Sequence, residues 1–183
     1  IEALLSMGLP NSPMANADIR VSSGNFVTAK PIGVLDGVDL QHTGEVRKID
    51  VAAINDRLNF GELVLLSPLG YSASGEIFNV ALENIAEAVA IAVKADKLIF
   101  MMDKPGATGR RGNLLRELTP FQARKLLAQK DSTLDGDARF YLPGAVRACE
   151  AGVSRAHLIS RHHEGALLQE LLDRKSTRLN SSH

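Results

Sequence analysis

Apolar residues recur at helical spacing in the middle of the chain. Leu82, Ile85, Ala86, Val89 and Val93 fall at i, i+3, i+4, i+7 and i+11, one face of a helix. Ala88, Ala90, Ile91 and Ala92 widen that stripe until the second half is apolar nearly all round, as in a helix packed on more than one side. Asn79 is placed to cap it, because a short amide side chain can accept a free backbone N–H. A polar turn at Lys94, Asp96 and Lys97 follows, and then residues 98–102 (LIFMM) run apolar without alternation. Such a run predicts a strand buried on both faces of a parallel sheet. Ligands of open α/β sheets bind beyond the carboxyl ends of the strands, so function is expected where the loop bearing Gly106 leaves this strand.

The same reading extends outward. Residues 1–7 predict the last turns of a helix, ended by Gly8 and Pro10. Strand-like segments follow at IRVSS and NFVTAKPIGVLDGV, with Gly24 and Asn25 as a turn between them and Pro31 marking an edge or bulge. GEVRKI (44–49) is a further strand, and Asp50 caps a helix with Val51, Ile54 and Leu58 on one face. ELVLL (62–66) predicts a strand, and SPLGYSASGE a loop leading to the central helix. Thr119, Pro120 and Gln122 form a capping box with proline at the first helical position. ARFYLPGAVRACEAG predicts a helix closed by Gly152, VSRAHLI a strand, and EGALLQELL a last helix with Ala166, Leu167, Glu170 and Leu171 close together. Alternating strands and helices mean βα units, a mostly parallel sheet covered on both faces, and hence an α/β fold.

Composition narrows the function classes. In 183 residues, 21 Lys and Arg balance 21 Asp and Glu, so no overall field draws the chain to nucleic acid or anionic lipid. No uncharged apolar run approaches the roughly 20 residues of a membrane span. The chain opens IEALLSMGLPNSP, with no initiator methionine and no basic-then-apolar leader, which points to a cytoplasmic protein and to a piece of a longer one. Cys149 is alone, has no intrachain disulfide partner, and is expected to be an inert core thiol.

Motifs that carry chemistry are sparse. There is no P-loop, dinucleotide fingerprint or paired-cysteine metal spacing. Arg161, His162, His163 and Glu164 form the most metal-like cluster, but adjacent histidines point apart and no second ligand group has suitable spacing, so no metal site is expected. Ser67, Ser72 and Ser74 lack the glycine frame of a nucleophile elbow.

Three blocks carry a family resemblance: GNFVTAKPIGVLDGVDLQHTGEVRKID (24–50), LVLLSPLGYSASGEIFN (63–79) and VAIAVKADKLIF (89–100). With RACEAGVSRAHLISRHHEGALLQELL, ending at Leu172, they resemble the amino-acid-kinase-like domain of bacterial N-acetylglutamate synthase. The resemblance implies a three-layer αβα sandwich with a mostly parallel sheet and a β-hairpin-rich N-terminal part, here incomplete. It also implies a homo-oligomeric enzyme whose separate acetyltransferase domain uses acetyl-CoA to acetylate glutamate, the first step of arginine synthesis. Residues 1–172 would be the regulatory, arginine-sensing domain, needing no cofactor and catalytically inactive by itself. Residues 173–183 (DRKSTRLNSSH) resemble a translated sequencing adapter; with little apolar surface, they are expected to extend away from the domain or fray from the last helix.

The resemblance also names residues. In arginine-sensitive members, effector contacts come from a lysine entering the central strand, a histidine in the last strand and a glutamate in the next helix. The matching residues are Lys97, His157 and Glu170, with Glu170 receiving the guanidinium and Lys97 and His157 facing the α-carboxylate end. The sister family, N-acetylglutamate kinase, is the alternative enzyme. Its kinases show Asn-x-Asn-Ala-Asp where this chain has Asn79, Val80, Ala81, Leu82 and Glu83, and a phosphate-binding lysine after a proline where Pro143 precedes Gly144. Phosphoryl transfer needs cationic groups around the migrating phosphate, and a glycine supplies none. A freestanding arginine-binding module is the non-enzymatic alternative.

Overall fold

The computed structural model describes residues 1–7, 19–104, 106–108, 113–129, 134, 136–172 and 178–180. It divides into two compact units, residues 1–85 and 86–183.

The first unit contains α1 (Glu2–Met7), β1 (Val21–Ser23), β2 (Val27–Pro31), β3 (Val34–Leu35), β4 (Val38–Asp39), β5 (Thr43–Ile49), α2 (Val51–Asn59), β6 (Leu63–Leu65), β7 (Leu69–Tyr71) and β8 (Ile77–Val80). β1 pairs in parallel with β6, while β2, β5, β8 and β7 close into a small barrel around Val27, Ala29, Phe78 and Val80. Two glycines permit that closure. A Cβ on Gly70 would stand 2.5 Å from the Ala29 Cβ, and one on Gly44 2.6 Å from the Phe78 Cβ. β3 and β4 form a hairpin whose turn holds Asp36 and Gly37 at φ 51° and 81°, the left-handed pair of a two-residue hairpin loop. Asp50 caps α2 as expected, accepting the Ala53 N–H at 3.1 Å.

The segment expected to be a loop behaves otherwise. Residues 69–71 and 77–80 are strands, and Asn79 lies within β8, paired with Leu69 and Thr43. Phe78 and Val80 point into the barrel while Ile77 and Asn79 face out, so period-2 alternation wins over the helix-cap reading. The central helix, α3 (Leu82–Ala92), starts three residues later, on the Ala81 carbonyl, which accepts from the Asn84 and Ile85 N–H groups.

The division between the units falls within α3. The second unit contains β9 (Lys97–Met102), the short pair β10 (Ala107–Thr108) and β11 (Leu114–Leu115), β12 (Glu117–Leu118), α4 (Pro120–Leu127), α5 (Gly136–Glu150), β13 (Arg155–Ser160), α6 (Ala166–Leu172) and β14 (Arg178–Asn180). Its sheet runs β12-β14-β13-β9, with β9 and β13 parallel over six residue pairs. The Thr119 capping box that starts α4 is complete, with the Gln122 side chain accepting the Thr119 N–H at 2.8 Å. The left-handed Gly152 follows α5 (φ 108°).

Alternation along β13 decides what faces what. Ala156 and Leu158 join Leu98, Phe100 and Met102 of β9 in a core with Leu142, Ala145, Val146 and Cys149 of α5. His157 points the opposite way, toward α6. Helices therefore lie on both faces at β13. On β9, however, Leu98, Phe100 and Met102 are buried while Met101 is exposed, which corrects the expectation of burial on both faces. α6 has only seven residues, too short to cover both strands.

Residues 178–180 correct a second expectation. They form β14, inserted between β12 and β13, parallel to the first and antiparallel to the second. Composition predicted a segment away from the domain, but strand insertion satisfies backbone groups on two open edges and requires little apolar surface.

Candidate functional site

The second unit brings together the three residues expected to bind an effector. Lys97 is the first residue of β9, His157 the third of β13, and Glu170 lies in the last turn of α6. His157 Nδ1 is 2.6 Å from Glu170 Oε1, with side chains only 1% and 2% exposed. Lys97 Nζ donates to the Glu170 backbone carbonyl at 2.8 Å. The last carbonyls of a helix lack intrahelical partners, and a cation there also opposes the helix dipole. Lys97 thus holds the helix end while His157 holds the side chain.

Burial makes this trio distinctive. Among the described residues, His157 and Glu170 are the buried polar or charged ones, whereas Leu168 and Leu171 of the same helix are 62% and 57% exposed. A helix that turns its glutamate inward and leaves leucines in solvent reverses ordinary amphipathic order. A buried carboxylate costs several kcal/mol unless it is paired, and His157 is one of the groups set against Glu170. His157 Nδ1 thus lies against the carboxylate that the resemblance assigns to a guanidinium.

The positions of the degenerate phosphate-transfer site sit elsewhere. Asn79 is exposed on β8, Ala81 is exposed before α3, and Glu83 lies in the first turn of α3, where a carboxylate suits the helix dipole. Gly144 is buried in α5. A Cβ there would stand 3.1 Å from Glu87 Oε2 and 3.8 Å from the Phe100 ring. That carboxylate is gripped by Arg147, whose Nε and Nη2 donate to its two oxygens at 2.8 and 2.6 Å. Gly144 therefore leaves room for a bidentate ion pair and presents no cation. Sequence reasoning missed this pair because 60 residues separate its members and no motif joins them.

The carboxyl ends of β9 and β13 hold a polar cluster as well. Asp103 pairs with Arg161 and with His162 Nε2, the latter at 3.1 Å; its backbone N–H donates to Asp137 Oδ2 at 2.9 Å and its carbonyl accepts from the Ser160 hydroxyl at 3.1 Å. Arg161 and His162 are thus both engaged with Asp103 at the surface. In the first unit, Ser67 lines a cleft of about 550 Å³ with Ser23, Asn25 and Tyr71, and the Ser72 and Ser74 hydroxyls bond each other at 2.8 Å. Cys149 is buried in α5, and burial pushes its thiol up to about 11, leaving it an inert core group.

A lysine at a strand start, a buried histidine on the adjacent parallel strand and a helix glutamate assemble here on a mixed sheet. The family model of the amino acid kinase family matches residues 1–160. The chain belongs to the amino acid kinase family. An amino-acid acetyltransferase of Ectopseudomonas mendocina (strain ymp) is 51% identical over 174 residues, covering 95% of this chain and 40% of that protein. One from Azotobacter vinelandii is 50% identical over the same length and coverage. Among solved structures, N-acetylglutamate synthase from Neisseria gonorrhoeae complexed with coenzyme A and L-arginine matches with a TM-score of 0.82 and 33% identity, over 96% of this chain and 40% of that one. The same enzyme with coenzyme A and N-acetyl-glutamate gives 0.84 and 34%, over 93% and 40%. The amino acid kinase fold expected from sequence is thereby established, and with it the α/β class. The chain spans about 40% of the length of the relatives it matches. Among the described residues, no helix is long and apolar enough to cross a membrane.

Proposed function

We propose that this chain is the arginine-sensing, amino-acid-kinase-like part of an N-acetylglutamate synthase. The observation that carries the reading is the buried Glu170, clamped by His157 at 2.6 Å and by Lys97 through its own carbonyl. A buried carboxylate with an oriented basic partner is a receptor for a planar guanidinium, which two parallel N–H groups can satisfy. Lys97, at the helix end, supplies the cation for the ligand's α-carboxylate. Similarity to a synthase solved with L-arginine, and to relatives named amino-acid acetyltransferases, supports the choice of effector and enzyme.

In this reading acetyl transfer belongs to a second domain outside the chain, which uses acetyl-CoA and glutamate. The full-length enzyme is cytoplasmic and homo-oligomeric, and residues 173–183 are foreign to it. Phosphoryl transfer is disfavoured by Gly144, which offers no charge beside an already paired Glu87. The test has two steps. Extending the reading frame beyond residue 172 in the source genome should reveal an acetyltransferase domain; a stop codon there would favour a freestanding arginine-binding module instead. The extended protein should release coenzyme A from acetyl-CoA only when glutamate is present, with a rate that responds to arginine. A rate indifferent to arginine would remove the sensor role.

A further inference from the structure

We propose that α6 is a hinged lid over His157 and Lys97, latched by Glu170, and that a ligand reaches the buried site only when this helix swings open. The inference rests on the effector-site reading above and adds how the ligand gets in.

The site is closed as it stands. His157 and Glu170 are buried, and His157 lies on the face of β13 opposite the α5 core. A ligand can therefore meet them only after a covering element moves. The strands are firmly fixed, because β9 and β13 pair over six residues and share a packed core with Leu142, Ala145 and Val146 of α5. α6 is held differently. Of residues 166–171, Glu170 is the buried one; Ala166 is half-buried, and Leu167, Leu168, Gln169 and Leu171 are exposed. Met101, which alternation puts on the same sheet face as Lys97, is exposed as well. Lifting α6 thus uncovers little apolar surface, which places it at the low-stability end of the fold.

Hinge and latch are both visible. Gly165 precedes the helix at φ 74°, and among the described residues no atom beyond its chain neighbours lies within 4 Å of where its Cβ would stand. A glycine in open space can absorb a change in φ and ψ without a clash. Five residues on, Glu170 ties the far end of the helix to the sheet twice. Its carboxylate lies 2.6 Å from His157 Nδ1, and its carbonyl accepts from Lys97 Nζ at 2.8 Å. Both ties end on residues assigned to the effector, so closing the lid and holding a ligand draw on the same groups. A guanidinium seated on the Glu170 carboxylate would join helix to ligand and hold the lid shut over it.

Hydrogen exchange read by mass spectrometry, on the chain in increasing urea below its unfolding transition, tests this. Peptides spanning α6 should exchange at rates that ignore urea, whereas those of α5 should speed up with it, because only global opening exposes much surface. Val146→Ala, in the core under α5, should speed exchange in α5 about tenfold and leave α6 unchanged. Glu170→Gln should speed α6 exchange about tenfold by loosening the latch. In the extended protein, L-arginine at about ten times its dissociation constant should slow α6 exchange about tenfold, since it binds with the lid shut. Rates in α6 that climb with urea in step with α5 would overturn the lid, whether or not arginine slows them. Urea-independent α6 rates that L-arginine leaves unchanged would overturn the effector-site reading, and with it the lid's role as an entrance. Should either variant fail to fold, the urea series on the native chain decides alone.

Discussion

Glu170→Ala strips the buried pair of its acceptor, and its cost can be bounded from the geometry. Orphaning a charge in a site exposed by only 1–2% costs about 3–5 kcal/mol. Orphaning a neutral donor costs about 1–3 kcal/mol. The two figures bracket the loss. For a protein of this size roughly 2–4 °C of melting temperature accompanies each kcal/mol. Thermal unfolding followed by circular dichroism should therefore show Glu170→Ala melting roughly 2–20 °C below the native chain. The paired change His157→Leu with Glu170→Leu should recover most of that loss, because a matched apolar pair carries no desolvation cost. A Glu170→Ala melt within a degree of native would refute the claim that this buried pair supports the fold.

Thr119→Ala removes one half of the capping box on α4 and should cost about 1 kcal/mol in urea unfolding with an unchanged m-value; an unchanged midpoint would show that the cap contributes nothing. Burial holds the Cys149 thiol at about 11, above its unfolded range, so the folded chain stays protonated where the unfolded chain ionises. Stability should accordingly fall by about 3 kcal/mol between roughly pH 9 and 11, and Cys149→Ala should flatten that slope. The native thiol should also resist a disulfide reagent at pH 8 until the chain unfolds, and rapid labelling of native protein would contradict its burial. Incubated with ATP and N-acetylglutamate, the chain should give no ADP above background, and neither should Gly144→Lys, since the new side chain would meet the Glu87–Arg147 pair; turnover by either would reopen the kinase reading.

Local patterns were enough for much of the fold. The apolar stripe of α3, the Asp50 and Thr119 caps, the Gly152 stop and the run that becomes β9 are set by residues within a few positions of one another, where spacing and side-chain chemistry act directly. Where local pattern and packing disagreed, packing chose. Local pattern makes Asn79 a helix cap, but barrel closure around Phe78 and Val80 takes it into β8. Residues 178–180 read as a polar tail, yet two open strand edges accept them through backbone alone. The candidate site divides the same way. Resemblance pointed to Lys97, His157 and Glu170, but nothing along the chain says that a glutamate on a leucine-rich helix turns inward. Register decides it, because alternation on β13 aims His157 away from the α5 core and α6 crosses at the one height where Glu170 can meet it. Spacing along a chain can nominate such a pair; only the packing of α6 on β13 brings the imidazole within 2.6 Å of the carboxylate and takes both out of water.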